Sequence, residues 1–167
     1  MTQVDQLIRS LVMSNRPATT EEQHQVLVHV AQAPVSVYPV TINRWLRQAL
    51  EARGVQVSSG KQPAVSVHLL KRIYFDGQWP IGTTVEQFTR DLHQAVQHPQ
   101  VPLWTYRWLG EVCAGLLAPS HVRHVPHPEA FIFVAYSADH GTITTGFQAS
   151  GPETIFTDAV AQLRRQR

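Results

Sequence analysis

Two periods of apolar residues divide the chain. Up to about residue 97 the apolar positions recur every three or four residues, the spacing of helices that bury one face. Val4, Leu7, Ile8, Leu11 and Val12 predict a helix over 3–13. Thr19-Thr20-Glu21-Glu22 reads as a capping box, with Thr19 as N-cap and Glu22 reaching back, and the helix it opens carries Val26, Leu27 and Val30 before stopping ahead of Pro34. An extended piece follows over 35–40. A third helix is expected over 41–53, with Ile42, Trp45, Leu46 and Leu50 on one side and Gly54 as its stop. Residues 55–57 read as a short strand, and Ser58 to Pro63 as a linker. Over 64–74, Val65, Leu69 and Ile73 fall on one helical face, which leaves His68, Lys71 and Arg72 on or beside the neighbouring stripe. After a turn at 76–80, Thr83 is expected to cap another helix with Glu86 three positions on, burying Val85, Phe88, Leu92 and Val96.

From Val101 the period falls to two. Leu103, Thr105 and Arg107 point one way; Trp104, Tyr106 and Trp108 point the other. A turn at 109–111 leads into a second run, 112–117. Phe131 to Ser150 then reads as a hairpin around Asp139-His140-Gly141, because Gly141 can take the positive φ of a tight turn. A last helix is expected over 153–165. Helices, then sequential strands, then a helix predict an α+β fold with a mainly antiparallel sheet of about four strands. The linker sets a soft boundary between a helical N-terminal arm, 1–60, and an α+β domain, 61–167.

Hydrophobic residues make up 43% and charged residues 16%, which excludes disorder as a description of the whole chain. The formal charge of +2 does not by itself imply a nucleic-acid partner. Cys113 is the only cysteine, so no intrachain disulfide can form and a reducing, cytoplasmic setting is favoured. It sits in an apolar run and reads as a packed, inert thiol. No segment has the length and apolarity of a signal peptide or a membrane span, and no membrane partner is expected. A phosphate-binding loop, a Gly-x-Ser-x-Gly elbow and a His-Glu-x-x-His helix are all missing, and no cofactor is expected. His121, His124 and His127 are regularly spaced imidazoles, but Pro126 and Pro128 oppose a helix that would align them on a metal; they read as a surface loop with no metal.

The residues that can carry chemistry are His68, Lys71 and Arg72 on one helix and the hydroxyl-rich second arm of the hairpin. Imidazole moves protons near neutral pH, and lysine and arginine stabilise a developing phosphorane charge. A threonine hydroxyl can bond a phosphate oxygen. Together they suit cleavage of RNA in which the substrate's own 2′-hydroxyl attacks. The same residues also describe a solvated helix face and ordinary strand formers. Likewise, Trp104, Tyr106 and Trp108 fit a packed sheet face better than a base-stacking surface, and Trp45 with Arg44, Arg47 and Arg53 fits a packing helix with a basic outer side better than a nucleic-acid helix.

The order His-x-x-Lys-Arg on a helix, then Gly-Thr-Thr-Val-Glu-Gln-Phe-Thr-Arg-Asp-Leu, then a hairpin ending Gly-Thr-Ile-Thr-Thr-Gly-Phe-Gln resembles the small ribonuclease toxins of the barnase–EndoU–colicin–RelE group, over about residues 64–150. The resemblance implies a metal-independent, RNA-cleaving toxin-like endoribonuclease, with RNA as substrate and an antitoxin or immunity protein as a possible partner. It implies His68 as general acid or base, Lys71 or Arg72 as the basic residue, and Thr145 as the strand hydroxyl. Phe147 stands where a tyrosine often stands, so a phenol's role would pass to another residue such as Tyr136. Gln148 is a further candidate for positioning substrate, although it and Thr145, three apart on a strand, share a face only if the strand is irregular. The rival expectation is a non-enzymatic interaction module or assembly subunit, an inactive relative of such nucleases.

Overall fold

The structure, a computed structural model, describes residues 1–98, 101–152, 155 and 164–166. Helices α1 (Gln3–Ser14), α2 (Thr20–Val30), α3 (Arg44–Glu51), α4 (Ala64–Tyr74) and α5 (Val85–Ala95) precede a sheet of β3 (Leu103–Trp108), β4 (Glu111–Pro119), β5 (Phe131–Ser137), β6 (Thr142–Ala149) and β7 (Arg164–Gln166). Its spatial order is β6-β5-β4-β3-β7 and every pairing is antiparallel. The fold is therefore α+β, as the change of period predicts. Two short strands, β1 (Pro39–Thr41) and β2 (Lys61–Pro63), form a separate antiparallel pair.

Several local expectations shift. The stretch read as a linker contains β2, and β1 and β2 pair across the expected boundary at residue 60. Residues 55–57 form no strand. The capping threonine of α5 is Thr84, reciprocated by Gln87, whereas the Thr83 hydroxyl donates to the Pro80 carbonyl (2.7 Å). The expected terminal helix lies mostly outside the described residues; its positions 164 and 165 belong to β7, paired with β3.

The pleat gives the sheet two unlike faces. Leu103, Ala114, Leu116, Ile132, Val134 and Ile143 point toward the helices and join Ile8 and Leu11 of α1, Val26 and Val30 of α2, Leu69 of α4 and Leu92 of α5 in the main core. Residues from both sides of position 60 thus share one core. The other face carries Trp104, Tyr106, Cys113, Leu117, Phe133 and Ala135, with Phe131, Phe147 and Ile155 against them. A third cluster joins Ile42, Leu46 and Leu50 to Val67 of α4.

Helix α4 lies beside the edge strand β6 and is pinned at both ends. Its N-terminus follows Pro63 and has no side-chain cap. Two of its free N–H groups are met by backbone instead: Ala64 N donates to Tyr38 O (2.9 Å) and Val65 N to Ser36 O (3.0 Å). That 34–38 segment is itself held on β6, since Ser36 N donates to Ile143 O (2.8 Å) and Ile143 N to Pro34 O (2.9 Å). Beyond the C-terminus of α4, Gln78 clasps the far end of β6 through Gln148.

Candidate functional site

The pinning of α4 sets His68 against the middle of β6. His68, Thr144 and Thr145 line a cavity of about 370 Å³ on the aromatic face of the sheet, whose walls include the rings of Tyr106, Phe133 and Phe147. Thr145 is opposite Ala135 and Phe147 opposite Phe133, which puts both β6 side chains on this face. A bulge between Ala135 and Tyr136 takes up Thr144, whose hydroxyl donates to Ala135 O (3.3 Å).

Two polar atoms here are buried without a hydrogen-bond partner: Nδ1 of His68 and Oγ1 of Thr145. Buried polar atoms are nearly always paired, because desolvating one without a partner costs about 1–3 kcal/mol. Both belong to side chains that line one cavity, each atom being itself buried just behind the wall. Burial, with the charges of Arg72 and then Lys71 nearby, lowers the pKa of His68 from 6.5 to about 4. The imidazole is therefore neutral at pH 7, with a ring nitrogen able to accept a proton or a hydrogen bond.

Arg72 follows one turn along α4. Its guanidinium pairs with Asp76, lies 5.4 Å from the centre of the Phe147 ring and keeps a buried Nε without a partner. Its charge is thus held at the rim of the cavity, partly offset by Asp76. Lys71 is half-buried at the adjoining position. Glu111 also lines the cavity and pairs with His140 (2.6 Å). Cys113 contributes a thiol whose pKa burial pushes up to about 12, so it is no nucleophile at neutral pH.

The structure thus brings His68 and Thr145 together and leaves Gln148 and Tyr136 elsewhere. Gln148 is buried on the opposite face of β6. Its Oε1 accepts from Ser120 Oγ (2.9 Å) and Glu129 N (3.0 Å), and its Nε2 donates to Gln78 O (2.7 Å). These bonds occupy the amide as a structural clamp. Tyr136 is fully buried on the helix-covered face; its hydroxyl donates to Asp5 Oδ1 (2.6 Å). With that proton committed, His29 Nε2, 2.8 Å away, must carry the hydrogen and donate to the tyrosine oxygen. The histidine loop does not converge: His121 pairs with Asp91 (3.0 Å) and His127 packs on Gly77. Among the described residues no three His, Cys, Asp or Glu side chains are placed to hold a metal, and no helix is long and apolar enough to cross a membrane.

Tyr106, expected on a packed sheet face, and Phe133, expected only as part of the hairpin, both lie beside His68 at the cavity. The available signal was the register of the hairpin, which aligns Phe133 with Phe147 and Ala135 with Thr145. No protein-family model, no curated protein and no solved structure matches the chain.

Proposed function

We propose that the chain is a metal-independent endoribonuclease working at the cavity between α4 and β6. The observation that carries this reading is the pair of buried polar atoms without partners, His68 Nδ1 and Thr145 Oγ1, beside one aromatic-walled cavity. In the proposed reaction neutral His68 takes the proton of the ribose 2′-hydroxyl. The 2′-oxygen bonds to phosphorus, the P–O5′ bond breaks, and the departing 5′-oxygen takes a proton from a water, whose hydroxide recovers the proton held by His68 and restores the neutral imidazole. The products are a 2′,3′-cyclic phosphate and a free 5′-hydroxyl. Thr145 donates to a phosphate oxygen, and Arg72 and Lys71 oppose the charge that develops there. The rings of Tyr106 and Phe147 suit a flanking base.

The test is digestion of single-stranded RNA in EDTA by wild type and His68→Gln, with analysis of the ends. Cleavage to cyclic phosphate that falls by about 100-fold or more in the variant is expected. Equal cleavage by both, or none by wild type, overturns the assignment.

A second reading has observations of its own. The cavity walls are largely aromatic, Arg72 is tied to Asp76, and Phe147 has no phenol to offer. These favour a non-enzymatic interaction module whose cavity receives an apolar group of a partner. Wild type inert toward RNA but stoichiometric with a protein partner supports that reading.

A further inference from the structure

Helix α3 holds the residue least expected at a surface. Its buried face is Leu46 and Leu50, and Trp45, expected to pack with them, is 72% exposed. The exposed indole is nevertheless held in place. It stacks on Phe75 with ring centres 6.2 Å apart and planes 13° from parallel. Arg53 lies over the same Phe75 ring at 4.8 Å, and its guanidinium is fixed by a bond to Ala49 O (2.9 Å). Arg47 is likewise fixed, donating to Val57 O and Ser58 O (2.8 and 3.0 Å). Arg44 beside Trp45 is exposed, as is Lys61, which pairs with Thr41 just before the helix.

Charge singles out the same region. From Val35 to Asp76 six lysines and arginines face only Glu51 and Asp76, a formal +4, while the whole chain carries +2. The remainder is therefore net negative, and the chain's positive charge is concentrated around Trp45 and α4. Phe75 also continues the helical stripe of His68, Lys71 and Arg72 by three to four residues at a time, about 10 Å along α4 from His68.

We propose that Trp45 stacked on Phe75, flanked by Arg44, Arg53 and Lys61, is a docking platform for single-stranded nucleic acid that leads toward the cavity. A flat aromatic surface with one open side accepts any base, and flanking cations follow the phosphates. Exposed as it is, the indole gains little from the fold, whereas a stacked base would cover it. The inference deepens the ribonuclease reading and rests on it for the identity of the strand as RNA.

Fluorescence anisotropy with a labelled 2′-O-methyl RNA of about twelve nucleotides measures binding without cleavage, because the attacking hydroxyl is blocked. Trp45→Ala is expected to bind roughly tenfold more weakly than wild type, and Trp45→Phe in between. Arg44→Glu should weaken binding and flatten its dependence on salt. Trp45→Ala binding as tightly as wild type overturns the platform, as does a wild type that binds no strand. Binding through Trp45 without cleavage of ordinary RNA upholds the platform and removes the catalytic reading. Cleavage that is indifferent to Trp45→Ala, with unchanged binding, does the reverse.

Discussion

The two faces of one sheet treat their polar groups in opposite ways. On the helix-covered face Tyr136 and Gln148 sit among aliphatic side chains with their bonds made, the first to Asp5 and His29, the second to Gln78, Ser120 and the backbone of Glu129. Thr105 is the exception there, with a buried hydroxyl that has no partner. On the aromatic face His68 and Thr145 line a cavity, and each holds one buried atom without a partner. The faces differ in composition, aliphatic against aromatic, and in what lies across from them. Where helices close over the sheet, a polar group without an internal partner, such as Thr105, carries its desolvation cost with nothing to offset it; beside a cavity a ligand can supply the partner.

The largest expected effect separates the faces by activity. His68→Gln should lower RNA cleavage by about 10²–10⁴-fold, the range for loss of a general base, with little change in the urea midpoint at pH 7. A variant that unfolds more easily while cleaving normally would place His68 with the structural polar groups and erase the contrast.

Next comes pH. His68 binds its proton less readily in the folded chain, at about 4 rather than 6.5. Between these values the unfolded chain holds more protons, so stability rises with pH across the window and is lost as pH falls from 6.5 toward 4. The contribution is about 3 kcal/mol in full. Urea unfolding of wild type and His68→Gln should nearly coincide at pH 7 and diverge at pH 4.5, with wild type losing more on acidification. Carboxylates that the fold holds low, Glu22 and Asp139, lose their contributions mainly below this window and do so in both proteins. If His68 is the base, cleavage should also fall as pH drops through about 4.

The covered face supplies the converse. Tyr136→Phe removes the donor to Asp5 Oδ1 and the acceptor of His29, and should cost about 1–3 kcal/mol in thermal or urea unfolding while leaving cleavage unchanged. Gly146→Ala should cost a similar 1–3 kcal/mol by a different route. A Cβ there would lie 2.3 Å from Cδ2 of Leu92, which is fully buried and has little room to retreat.

How far these features were legible depended on the range of the interaction behind each. Helix α4 and the β5–β6 hairpin followed from short-range periodicity, and with them the presence of His68 and Thr145 on facing elements. The period could not reveal that Gln148 meets Gln78, seventy residues earlier in the chain, or that Tyr136 meets Asp5 across the whole molecule. Thr83 and Thr84 offer the same cap chemistry, and the bond from Thr83 to Pro80 O decides between them. Lys61 to Pro63 looked like a linker because its composition is polar, yet pairing with Pro39–Thr41 makes it a strand. Trp45 was grouped with Leu46 and Leu50 on hydrophobicity alone, and exposure distinguishes it.

The smallest effect is the sharpest test of the contrast. Thr145→Val keeps the shape and branching of the side chain and deletes only the hydroxyl. On a face whose polar groups are satisfied, such a change would break a bond and destabilise. At Thr145 no protein partner is lost, since Oγ1 has none, and an unsatisfied buried oxygen is replaced by a methyl group. Stability should therefore be unchanged or rise by up to about 1 kcal/mol, while cleavage falls roughly tenfold for want of the phosphate contact. Opposite signs for stability and activity from one atom would mark the hydroxyl as kept for a ligand. A loss of stability would mean that Thr145 is bonded within the fold after all, and the cavity would lose one of the two atoms that define it.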